Sequence, residues 1–285
     1  MLYHLPMFES LAERGFQIAF LSHAKAILGV DFPDALAELE AALAGLSIPI
    51  AEIVGSGGGE AKGTRRLREA LAASHWVKTK FTIEKRINGV PRESISHEVD
   101  HVRTFPDGRV VALEIEWNNK DPFFDRDLEN FKRLHAEGAI SVGIIVTRGA
   151  SLQDELPTLV RRFAREQGLE TLDQIRALGL NPTPRQSADI VRRASASGGS
   201  FVDAWASVFC ADKYGAATTH WRKLEDRVKR GVGNPCPLLL IGLPAAIVSF
   251  DAPLAGDDPD QLSLTDLLPE LDRTGAVARG EAERA

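Results

Sequence analysis

The sequence predicts an α/β (α+β) fold, with a central mixed β-sheet flanked by helices on both sides and helical insertions. Three observations predict it. Residues 97–105 (HEVDHVRTF) and 109–117 (RVVALEIEW) flank Pro106-Asp107-Gly108, a hairpin turn with glycine where a positive φ is wanted. Next comes Asp121-Pro122, a cap followed by a residue suited to a first helical turn; Phe124, Leu128 and Phe131 then recur at helical spacing until Gly138. Residues 139–147 (AISVGIIVT) are continuously apolar, as in a strand buried on both faces.

The other elements follow in order. Residues 32–46 read as a helix, with Pro33 in the first turn and Gly45 near the end. GSGGGE at 55–60 lacks the Lys-Ser/Thr ending of a P-loop and the spacing of a dinucleotide fingerprint, so it reads as a hinge. Residues 61–74 (AKGTRRLREALAAS) form a basic amphipathic helix. Helical patches follow at 152–167, 170–178, 187–194 and 200–213, and NPTPRQ at 181–186 marks an excursion from the sheet. A basic helix at 219–230 leads into GVGNPCPLLLIGLP, a loop and buried strand. The chain divides into one domain over 1–250 and an acidic tail over 251–285, with a short helix near 263–272 and frayed residues beyond it.

With 44% hydrophobic and 26% charged residues in 285, disordered and collagen-like readings are excluded. The net charge of -6 is unevenly spread. Residues 1–60 carry eight acids against two bases and residues 251–285 nine against three, which leaves the middle at +6, a balance suited to meeting an anionic polymer. Cys210 and Cys236 form neither a disulfide framework nor a zinc motif. The N-terminus lacks the features of a signal peptide, and the longest apolar run, Pro237 to Phe250, is too short for a bilayer. The expectation is a cytoplasmic protein with no membrane association.

The hairpin carries the chemistry. If Phe105 pairs with Arg109, Asp100 lies opposite Glu114, and alternation puts Glu98, Asp100, Glu114 and Glu116 on one face. Val99, Leu113 and Ile115 take the other face, as do His97 and His101, which on that ground are not expected to be metal ligands. Opposed side chains have Cβ atoms about 4.5 to 5.5 Å apart, and like charges there destabilise a sheet. A cation removes that cost. Mg²⁺, with its oxygen ligands, would make the cluster a site for phosphoryl-transfer chemistry; a solvated acidic face is the alternative.

The string SHEVDHVRTFPDGRVVALEIEWNNKDPFFDRDLENFKRLH, followed by AISVGIIVTRG, resembles the BglII/BamHI type of Type II restriction endonucleases within the PD-(D/E)xK nuclease superfamily. GSGGGEAKGTRRLREAL and TTHWRKLEDRVKRGVGNPCPLLLIG look like further segments of that group, so the resemblance runs from about residue 20 to residue 245. It implies a restriction-endonuclease-like core in a homodimer that hydrolyses both strands of double-stranded DNA at a short palindromic site, leaving 5′-phosphate and 3′-hydroxyl ends. It also implies Mg²⁺ as cofactor, with Mn²⁺ substituting and Ca²⁺ supporting binding without cleavage, and a cognate DNA methyltransferase as genetic companion.

Matched position by position, Asp100 stands for the motif's aspartate, Glu114 for its second acid, and Glu116 for the position that is lysine in most of the superfamily and glutamate in the BamHI type. Val99 stands where the motif has proline, and the absent lysine puts lysine-assisted chemistry in doubt; Lys120, four residues on, reads as solvated. Asp100 and Glu114 are therefore the expected metal ligands, and Glu116 the base or a second-metal ligand. The preceding helix offers Glu69, and less favourably Glu60, as an extra carboxylate; Glu98 is an outer member.

Arg65, Arg66 and Arg68 on one helix, and Lys213, Arg222, Lys223, Arg227 and Arg230 in or beside another, are candidate phosphate contacts. Asn118, Asn119, Arg148, Thr218, Thr219 and His220 are candidate base readers, while Trp205 and Trp221 read as core or interface. Two other functions compete: a repair nuclease of the same fold without a palindromic requirement, and a DNA-binding module with a degenerate site. The intact acids argue against the module, since a surface that only binds DNA gains nothing from repelling phosphate.

Overall fold

The computed structural model describes residues 7–55 and 60–250. The hinge at 56–59 and the acidic tail, with its expected helix near 263–272, lie outside the described residues. Helices α1 (Glu9–Glu13), α2 (Ala24–Asp31), α3 (Pro33–Ala44), α4 (Ile50–Val54) and α5 (Lys62–Ala73) precede the long strands, with β1 (Gln17–Leu21) and β2 (Ile48–Pro49) between them. Strands β3 (Val77–Ile87), β4 (Val90–Thr104) and β5 (Val110–Glu116) follow, then α6 (Phe123–Ala136) and β6 (Val142–Arg148). The insertion comprises α7 (Ala150–Glu166), α8 (Leu172–Ala177), α9 (Pro184–Ala194) and α10 (Phe201–Lys213). The described chain closes with α11 (Trp221–Lys229), β7 (Leu238–Leu243) and β8 (Val248–Ser249).

The six-stranded sheet has the order β1-β7-β6-β5-β4-β3, with β5, β6 and β7 parallel and the outer pairs antiparallel. Its centre is parallel because α6 carries the chain back across one face between β5 and β6. Helices α2, α3 and α5 cover the other face. This is the mixed, doubly covered sheet that the periodicity predicts. Among the described residues no helix is long and apolar enough to cross a membrane.

The stripe Phe124, Leu128, Phe131 and Leu134 packs on Val99, Val102, Ala112 and Ile145, joined by Trp221 and Leu224 from α11. Gly143 on β6 permits this approach, since a Cβ there would lie 2.5 Å from Phe131 Cδ2 and 2.8 Å from Cγ. Gly143→Ala is therefore expected to cost about 1–3 kcal/mol through overpacking, read as a lower urea midpoint at unchanged slope.

Two strands escaped the sequence analysis. Strand β1 is a short edge partner of β7, with every residue of intermediate burial and no clear alternation. Strand β3 does alternate, with Phe81 and Ile83 half-buried between exposed Lys80, Thr82 and Glu84, and it pairs with a β4 that begins at Val90 rather than 97. Asn88 and Gly89, both at positive φ (51° and 78°), make the two-residue turn between them.

The predicted hairpin register holds: His101 pairs with Leu113 and Thr104 with Val110, and the Phe105 N–H donates to the Arg109 carbonyl at 2.9 Å. The predicted alternation fails one rung further on. Between Val77↔Val102 and Thr79↔Val99, β3 contributes one residue, Lys78, against Asp100 and His101 of β4. This β-bulge shifts the phase of β4, so that Val99 and Val102, an odd number of residues apart, both enter the α6-side core.

Candidate functional site

The bulge divides the four acids expected on one face. Glu114 and Glu116 share the parity of Ala112, which puts them on the α6 side, each 3% exposed. Glu98 and Asp100 are more than half exposed and converge on Lys78, whose Nζ lies 2.7 Å from Glu98 Oε1 and 3.3 Å from Asp100 Oδ1. Asp100 still borders Glu114, whose carboxyl is influenced both by the Asp100 charge and by the Asp100 backbone N–H.

Helix α6 supplies what the hairpin alone lacks. Asp127 falls in the apolar stripe beside Phe124, Leu128 and Phe131 and is fully buried. Arg126 Nε donates to its Oδ1 at 2.8 Å, and Arg126 Nη2 lies 3.5 Å from Glu116 Oε1. Asn119 Nδ2 donates to Glu116 Oε2 at 2.7 Å. His97 Nε2 stands 3.8 Å from Glu114 Oε1, with the Asn130 amide 2.8 Å from its Nδ1. Burial first, and the Asp127 charge second, push both Glu114 and Glu116 up to about 9. Burial lowers His97, which favours the neutral imidazole that can act as a ligand.

His97 thus corrects the expectation that it faces away from the acids, because the bulge returns it to the side of Glu114. Asp127 was missed outright. Its signal was legible as an acid in the buried stripe of an amphipathic helix, where a carboxylate is costly without a partner. Glu69 and Glu60 pair with Arg68 on α5; Glu69, 60% exposed, lies 3.8 Å from Arg68 Nη2, and Arg68 in turn feels the Asp100 charge.

Several expected DNA contacts turn inward. Arg148 is fully buried; its Nη2 donates to Thr218 Oγ1 at 2.6 Å and to the Thr219 carbonyl at 2.7 Å, beneath the Tyr214 ring. Burial pulls its pKa down to about 10. Thr219, also buried, exchanges hydrogen bonds with the Asn119 backbone, and His220 is 6% exposed, with burial bringing its pKa to about 4. Lys213 Nζ donates to the carbonyls of Ile53 and Gly55. Arg227 is held by Asp125 and Asp121, and Lys223 by Asp121. Arg148, Thr218 and Thr219 tie the 117–121 segment to the loop before α11, while Arg148 Nε and Nη1 and His220 Nδ1 are buried without a hydrogen-bond partner. Asn118 is half-buried, with its Oδ1 enclosed and unpartnered, and Asn119 is exposed beside Glu116.

A family model described as restriction endonuclease BglII/BglIII matches residues 16–243 of the 285. The chain belongs to this restriction endonuclease family. It is accordingly a site-specific deoxyribonuclease acting on double-stranded DNA, and its buried acids lie within the matched span. No curated protein matches the chain.

Proposed function

We propose that this endonuclease hydrolyses both strands of a short palindromic site in a reaction dependent on Mg²⁺, leaving 5′-phosphate and 3′-hydroxyl ends. The observation that carries this reading is the pair of buried carboxyls, Glu114 and Glu116, beside Asp127, with Arg126 as the close counter-charge among the described residues. Such a donor set fits a divalent cation, because buried like charges repel until a cation offsets them. Glu114 would hold the ion, with Asp100 reaching it across the bulge. The bound cation supplies a Lewis acid for the phosphoryl oxygen and a water of lowered pKa. Glu116, desolvated and steadied by Asn119, is a stronger base than a solvated carboxylate and is placed to take the proton of the attacking water. Mn²⁺ is expected to substitute, and Ca²⁺ to support DNA binding without cutting.

A homodimer in the cytoplasm, protected by a companion methyltransferase, completes the proposal. Cutting both strands of a palindrome calls for two sites related by a two-fold axis. The deciding experiment incubates the purified protein with phage DNA, with Mg²⁺ and with EDTA, and sequences the fragment ends. Discrete bands with Mg²⁺ alone are expected; a smear would overturn the site-specific part, and intact DNA the catalytic part.

A further inference from the structure

Among the described residues, Asp127 is a buried acid with incomplete compensation. It is fully buried, Arg126 takes its Oδ1, and its Oδ2 has no hydrogen-bond partner. A buried carboxylate oxygen without a donor is rare and costly. The Asp127 charge also bears on Glu116, and its carboxylate lies close to Glu114. Three buried carboxylates against one half-exposed guanidinium leave a deficit of two positive charges if all are ionised, the charge of one divalent ion. An imidazole completes the group: single donor atoms from His97, Glu114 and Asp127 all lie within 4.8 Å of one another. Ligands about 2.1 Å from a cation are about 3 to 4 Å apart, so closing the set around an ion requires movements of about 1 Å. The Asn130 side-chain amide lies against the His97 ring, its Nδ2 2.8 Å from Nδ1 and 3.1 Å from Nε2; a ligating imidazole keeps a proton on its other nitrogen, so this amide would have to present its oxygen to that N–H.

We propose that Asp127 and His97 join Glu114 as ligands of the catalytic cation, and that the imidazole gives the site a greater preference for Mn²⁺ over Mg²⁺ than carboxylates alone would confer. The inference rests on the metal-dependent reading above. It adds two ligands, one from the long arm of β4 and one from α6. Nitrogen donors suit transition metals, whereas Mg²⁺ strongly prefers oxygen.

The test is titration of the full-length, DNA-free protein with Mn²⁺ and then Mg²⁺ by calorimetry, with free Mn²⁺ followed by electron paramagnetic resonance. Wild type is expected to bind one Mn²⁺ per chain at this site. Asp127→Asn should weaken it at least about tenfold and remain folded, because the amide oxygen can still accept from Arg126. His97→Gln should reduce the Mn²⁺/Mg²⁺ affinity ratio several-fold while keeping Mg²⁺ binding, an outcome that misfolding would not produce. Unchanged Mn²⁺ binding in Asp127→Asn overturns the inference, as does absence of a Mn²⁺ site in DNA-free wild type. In both cases Mg²⁺-dependent cutting by wild type would leave the nuclease reading standing, and its absence would remove that reading separately.

Discussion

Glu114→Gln is expected to slow DNA cleavage by at least about 10³-fold, while making the DNA-free protein more stable in EDTA. On the proposed reading the loss follows from removing the central cation ligand, because the charge stabilisation supplied by such an ion is worth several kcal/mol in the transition state, and each ~1.4 kcal/mol is a factor of about ten in rate. The gain follows from the environment that makes Glu114 useful. Burial and the neighbouring Asp127 and Asp100 push its pKa from 4.5 to about 9. An acid raised in this way contributes stability that is fully present below its unfolded pKa and is lost as pH rises through the folded one. At pH 7 the folded protein must take up a proton that the unfolded chain lacks, a cost on the order of 3 kcal/mol. The advantage of Glu114→Gln should therefore be small at pH 4.5, grow through pH 7 and level off above pH 9. Denaturant titrations in EDTA across that range, beside plasmid cutting in Mg²⁺, read both effects. A variant that cuts normally would remove Glu114 from the cation site, and one with unchanged stability at pH 8 would remove the repulsion argument.

Arg148→Ala is expected to destabilise the fold by about 2–4 kcal/mol through the cavity and the acceptors it strands, a fall in melting temperature of about 10 °C for a chain of this size. Arg148 donates to Thr218 and Thr219 and lies under Tyr214, fully buried at the end of β6. Truncation leaves the Thr219 carbonyl and the Thr218 hydroxyl without their donor and opens a cavity where the guanidinium stood. The same anchor holds Asn119, which touches Glu116, so cutting should fall with stability. Calorimetric melting beside DNA-binding titrations distinguishes this role from base reading. Intact stability with a selective loss of affinity for the recognition site would make Arg148 a reader after all.

These residues show which parts of the protein were legible in the chain. Helix α6, the buried β6 and the turn at 106–108 each announce themselves over ten or so residues, because cap, periodicity and turn chemistry are local. The hairpin register was also local, fixed by the turn itself. The bulge was not. Whether β4 contributes two residues opposite Lys78 depends on pairing with β3, a strand hidden in a mixed polar stretch whose apolar face is only half covered. That one extra residue moved His97 to the Glu114 side and turned Asp100 toward Lys78. Arg148 and Arg227 carry the composition of a DNA surface, yet burial decides whether such a group meets phosphate or a neighbouring carbonyl, and burial is set by what packs above it.

By itself, then, the sequence determined the mixed sheet, its helical cover, the hairpin that bears Glu114 and Glu116, and, through the long string around them, the endonuclease family. Only the tertiary structure brought Asp127 from α6 and His97 from β4 beside Glu114, and withdrew Arg148 into the interior. The physical reason is range. Backbone periodicity and turn preferences act over a few residues, whereas the site is made by side chains from β4, β5 and α6, which meet only when the two faces of the sheet are packed.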